Sequence, residues 1–126
     1  MLKDWIVSIS IAALGVLAPT KPLLIVVGVL IFMDTVTGVW AAYKRKERLS
    51  SNRFFRLPMK MLLYHIAILS GFLLQKYLLD DVMPVSKLVA AAIGTTEFYS
   101  MIENVQSITG KNIFEEVLSK LGRKPQ

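Results

Sequence analysis

Four ionisable side chains, Asp34, His65, Glu97 and Glu103, fall inside long apolar runs. In hydrocarbon such a group is costly unless it is paired or wetted, so each one points to a function or to a fixed packing contact. Measured from the nearer basic end of its run, Asp34 lies about 14 Å deep and Glu97 about 16 Å at 1.5 Å per residue, so the two can share a layer. Glu103 lies about 8 Å deep, a level to which the long Lys60 side chain could snorkel back.

The last apolar run also carries a polar stripe. Glu97, Ser100 and Asn104 recur at i, i+3 and i+7, with Thr96, Glu103 and Ser107 alongside. The stripe cannot face lipid and must meet another helix, another subunit or water. Several readings stay open. The groups are interhelical hydrogen-bond anchors, each worth about 1 kcal/mol, or they line an aqueous path in an oligomer. A proton relay through Asp34 and Glu97 is a third. Asp34 has Thr37 and Gly38 close by on its own run. His65 is the only histidine, so a hydrogen-bonded packing role is expected rather than a metal site.

Enzyme signatures are missing from the sequence. It has no Gly-rich phosphate loop, no nucleophile elbow and no second histidine for a metal. With no cysteine there is no disulfide or thiolate chemistry. No cofactor is expected.

Four apolar stretches must position these residues, at about 5–18, 22–43, 59–79 and 85–108. They predict an all-α integral membrane protein of three or four transmembrane helices. Residues 1–110 form the transmembrane domain and 111–126 an amphipathic, basic C-terminal tail. The first stretch, about 21 Å of helix against a hydrocarbon core of about 30 Å, is short for a crossing. It is read as retained rather than cleaved, because Pro19 follows the one plausible cleavage point at Ala18. Pro19 and Pro22 predict a tight break. Ser86 is read as the N-cap of the fourth helix and Gly110 as its stop. In the tail, Ile113, Phe114, Val117, Leu118 and Leu121 share one helical face, which suits the membrane surface or a neighbouring subunit. Gly38 with Ala42, and Ala90 with Gly94, have the four-residue spacing of small side chains that lets helices approach closely. Trp5, Trp40 and Tyr43 fit interfacial anchors.

Composition agrees. The chain is 54% hydrophobic with a mean hydropathy of +0.53, yet 19% charged, and its charges are gathered between the apolar runs. A soluble protein of this size would need polar residues along every helix. The net charge of +6 does not read as nucleic-acid binding, because the basic residues flank apolar spans. The anionic inner leaflet is the expected partner. With four crossings, both termini and the 44–60 loop share one side, which holds 12 of the 15 lysines and arginines. That side is then cytoplasmic.

The order of these residues resembles a known family. Asp34-Thr35-Val36-Thr37-Gly38, then Ser50-Ser51 after a basic run, then Lys60, then Glu97-Phe98-Tyr99-Ser100-Met101-Ile102-Glu103-Asn104 ahead of Gly110, is similar to the phage holin family that includes the toxin-secretion holins. The likeness covers roughly residues 25–122. It implies a multi-pass protein of the bacterial (host) inner membrane that forms a homo-oligomer and permeabilises the membrane to release an endolysin or toxin. The matching positions are Asp34, Gly38, Ser50, Ser51, Lys60, Glu97, Ser100, Glu103 and Asn104, with Ser50, Ser51 and Lys60 in the cytoplasmic loop and its anchor. Beside the holin reading stand a non-leaking, antiholin-like regulator or scaffold and a small ion- or proton-coupled transporter.

Overall fold

The computed structural model describes residues 1–49 and 51–122. Among them every regular element is helical: α1 (Leu2–Leu17), a 3-10 turn (Ala18–Thr20), α2 (Lys21–Lys44), α3 (Ser51–Tyr77), α4 (Val85–Thr109) and α5 (Ile113–Gly122).

The prolines at 19 and 22 divide α1 from α2 without ending the helical path. Each sits in a first turn, where the missing N–H has no partner to lose. The Thr20 hydroxyl donates to the Leu17 carbonyl at 2.6 Å, satisfying an acceptor that the end of α1 leaves open. The expected break is therefore a single 3-10 turn. No residue of α1 is buried.

Three helices form the bundle. Lys60 of α3 pairs with residues of both α2 and α4, and His65 of α3 reaches Leu24 near the start of α2. Asn104 and Ser107 of α4 meet the C-terminal half of α2 and the residue that follows it. Thus α2 and α4 run parallel and α3 runs against them. Val27, Ile31, Ile68 and Ala90 make the buried apolar core. The most extensive pairing is α2 with α4. Small residues allow it: Ala41 and Ala42 are fully buried, and Gly38 and Gly94 face Asn104 and Leu30 across the seam. The two small-residue pairs thus serve helix contacts inside one copy.

Two readings from sequence need correction. The stretch from Ser51 to Pro58 was expected as loop but belongs to α3, with Pro58 inside the helix. Leu57 packs on the apolar core, which holds the turn before the proline in register. Ser51 therefore opens α3, while Ser50 lies outside the described residues. Ser86 is not the N-cap of α4. Pro84 holds that place, and Ser86 donates its backbone N–H and its hydroxyl to the Gln75 side-chain oxygen at 3.2 and 2.9 Å.

Two helical stretches are long and apolar enough to cross a membrane: Leu2–Lys44, which joins α1 to α2, and Phe54–Tyr77 of α3. The first has 43 residues, about 65 Å of helix, roughly twice a hydrocarbon core. α4 has the length, 25 residues, but its two glutamates and its hydroxyl and amide side chains lower its apolarity.

Candidate functional site: a polar cluster between three helices

The ionisable groups converge. Lys60 Nζ donates to Asp34 Oδ2 at 3.3 Å and to Glu97 Oε2 at 3.0 Å. One ammonium thus ties α3 to both parallel helices. Asp34 and Glu97 share a layer, as their depths imply. Glu97 is 1% exposed and Asp34 8%, so the carboxylates lie inside the bundle and a cation is the partner their charge requires.

Asn104 completes the cluster. Its side-chain amide donates to Asp34 Oδ1 at 3.0 Å, to the Asp34 carbonyl at 3.2 Å and to Thr37 Oγ1 at 3.2 Å. Two amide hydrogens serve three acceptors, so at least one bond is shared. The Thr37 hydroxyl is free to accept because its own hydrogen goes to the helix, where the Met33 carbonyl lies at 2.8 Å. Gly38 makes room for this arrangement. A Cβ there would stand 3.4 Å from Asn104 Nδ2. A cavity of about 300 Å³ opens beside the cluster, lined by Asp34, Thr35, Gly38, Arg56, Lys60 and Asn104 among others. Among the described residues, no buried side-chain nitrogen or oxygen lacks a hydrogen bond.

The stripe on α4 splits into two faces. Glu97, Ser100 and Asn104 turn inward, to the ion pairs or the cavity. Thr96, Glu103 and Ser107 are exposed. Thr96 bonds only back to the Ala92 carbonyl of its own helix, and Ser107 accepts from Arg45 at 2.7 Å. Glu103 does not meet Lys60. The expected snorkelling contact is absent because Lys60 points to the deeper Asp34–Glu97 layer. Lys60 is accordingly a bundle tie rather than a loop anchor.

His65 lies apart from the cluster. Its Nε2 is 3.1 Å from the Leu24 carbonyl. A carbonyl only accepts, so Nε2 carries the proton. Gly28 permits this approach, since a Cβ there would touch Met61 and the imidazole. His65 is thus a packing tie between α3 and α2.

Tyr64, one turn along α3 from Lys60, packs on the apolar core rather than standing apart from it. Reading the sequence alone missed two cations at the end of α4. Lys44 donates to the Ile108 carbonyl, and Arg45 to Ser107. These cations meet the C-terminal end of α4, where unpaired carbonyls favour positive charge.

The chain matches the bacteriophage holin family over residues 12–123. No curated protein and no solved structure matches it. The matched region takes in the bundle, the polar cluster and all of α5, and it agrees with the resemblance carried by Asp34, Lys60 and the Glu97–Asn104 stretch. An all-helical chain with apolar helices long enough to cross a bilayer, and charges held together between them, is what such membrane proteins require: this chain belongs to the bacteriophage holin family.

Proposed function

We propose that this chain is a holin that acts without catalysis. It inserts in the bacterial inner membrane, assembles with copies of itself and permeabilises the membrane, so that an endolysin or a secreted toxin escapes. The observation that carries this reading is the family match together with the Asp34–Lys60–Glu97–Asn104 cluster between otherwise apolar helices. Within one copy the cluster is closed on itself. In an assembly, rotation or separation of α3 from the parallel pair would expose the same groups to water and line a path with them.

Orientation follows from charge. Lys44, Arg45, Lys46, Arg48 and Arg56 lie at the end of the bundle where α2 stops and α3 begins, and Lys111 follows α4 there. That end faces the cytoplasm by the positive-inside rule.

The closed cluster also favours a second reading. With its buried polar side chains already satisfied, a single copy has no drive to open, as befits a non-leaking, antiholin-like regulator or scaffold. Induced expression separates the two. A holin collapses the membrane potential and lets a co-expressed cytoplasmic peptidoglycan hydrolase reach the wall. Stable potential and retained hydrolase, with the chain abundant in the membrane, would leave the regulator reading in its place.

A further inference from the structure

The outward faces of the helices differ. Those of α2 and α3 are large and apolar, with Ile25, Phe32, Leu62 and Leu63 all more than half exposed. Such side chains suit lipid. The outward face of α4 is mixed: Ala91, Ala92, Thr95, Thr96 and Glu103 stand among Leu88, Phe98 and Tyr99, all exposed. Glu103 is its least lipid-compatible member. It lies about 9 Å inside the C-terminal end of α4, and among the described residues it makes no hydrogen bond or ion pair. An ionisable group held at that depth calls for a partner.

A cation of matching height stands on α3. From the Lys60–Glu97 pair, which fixes a common level for α3 and α4, Arg56 is four residues toward the basic end and Glu103 six. At 1.5 Å per residue these displacements are about 6 and 9 Å, so the two charges lie within about 3 Å of one height. Arg56 is exposed at the rim of the cavity beside Lys60, and it too makes no hydrogen bond or ion pair among the described residues. Within one copy the two remain apart.

We propose that the outward face of α4 docks on the α3 face of a second copy of this chain, and that Glu103 of one copy pairs with Arg56 of the next. Arginine suits this role, since its planar guanidinium binds a carboxylate through two parallel hydrogen bonds. The contact joins unlike surfaces, α4 to α3. It therefore leaves a free α4 face and a free α3 face on every dimer and propagates to a ring or a larger array. The inference rests on the reading that copies assemble in the membrane, and it names the surface by which they do so.

The absence of native cysteine makes a direct test possible. Full-length Arg56→Cys and Glu103→Cys chains with tags of different size are co-expressed. Their membranes are treated with a bifunctional thiol reagent whose reach matches an Arg–Glu pair. A mixed-tag dimer is expected, and a ladder from the doubly substituted chain. The pairing of Arg56→Cys with Val29→Cys, on the lipid-suited face of α2, should stay at background. Absence of the mixed dimer, or a doubly substituted chain that links only within itself, overturns the proposal. Charge reversal gives a second readout. Arg56→Glu and Glu103→Arg should each lose membrane permeabilisation, and the two together should regain it. Crosslinking without permeabilisation by the unsubstituted chain would refute the holin function and leave this interface standing.

Discussion

The Lys60 ammonium lies 3.0 Å from the Glu97 carboxylate, so α3 and α4 are held in register by a charge pair inside an apolar bundle. Breaking such a pair from one side leaves an uncompensated charge, whereas removing all its members together leaves none. Lys60→Met should therefore destabilise the bundle. A fully buried pair loses about 3–5 kcal/mol when one partner goes. The Lys60 side chain is 36% exposed, so solvent screening reduces the expected loss to about 1–2 kcal/mol. Combining Lys60→Met with Asp34→Asn and Glu97→Gln should recover most of it. Denaturant unfolding in detergent micelles checks this, and equal losses for the single and triple variants would contradict it.

Asn104 and Gly38 should be coupled. The Asn104 amide donates to Asp34 and Thr37 across the α2–α4 seam, and a membrane-buried interhelical hydrogen bond is worth about 0.6 kcal/mol, with a maximum near 1.7. Asn104→Ala should cost about 1 kcal/mol for its several bonds. At Gly38 a Cβ would stand 3.4 Å from Asn104 Nδ2, which is ordinary contact, so Gly38→Ala should be tolerated. Gly38→Leu should part the helices. If Asn104→Ala relieves Gly38→Leu in the same unfolding assay, the two share one space; strictly additive losses would deny it.

The inward half of the α4 stripe should matter for lysis more than for insertion. Glu97→Leu and Asn104→Leu each remove a polar group that an open assembly would turn toward water. The expected outcome is a chain that reaches the membrane in normal amount but does not trigger lysis. Culture turbidity after induction, together with quantified membrane fractions, measures both. Timed lysis at the unsubstituted rate by well-expressed variants would exclude the stripe from the path.

Much of this cluster is legible in the sequence. Asp34 and Glu97 stood out because a carboxylate in an apolar run has few options, and their depths along the helices put them in one layer. The partner was harder to read. An apolar run that starts at Met59 puts Lys60 in its first turn, at a level from which it could snorkel to Glu103. In fact α3 begins at Ser51, which sinks Lys60 deeper and turns it toward Glu97. Pro58 misled for a physical reason. It removes a donor from the helix, but the flanking turn is held by Leu57 on the core. The inward and outward halves of the α4 stripe could not be told apart, since spacing gives relative direction around a helix but not which side meets α2.

The packing of α1 gives the last test. None of its residues is buried, and it meets its apolar neighbours across open cavities, one of about 740 Å³ that Leu14 and Leu17 share with α2 and α3 and one of about 410 Å³ between Ile9, Ala12, Ala13 and Leu73 of α3. The buried core is formed by α2, α3 and α4 alone. Deleting residues 2–13 should therefore leave the bundle's unfolding midpoint in micelles nearly unchanged, within about 0.5 kcal/mol, the range of surface substitutions away from special features. Leu14, Leu17 and the Thr20 cap stay in place in that variant. A loss of several kcal/mol would mean that α1 folds back on the bundle as a packed fourth helix. An unchanged midpoint with lost permeabilisation would instead assign α1 to the assembly and the bilayer rather than to the fold.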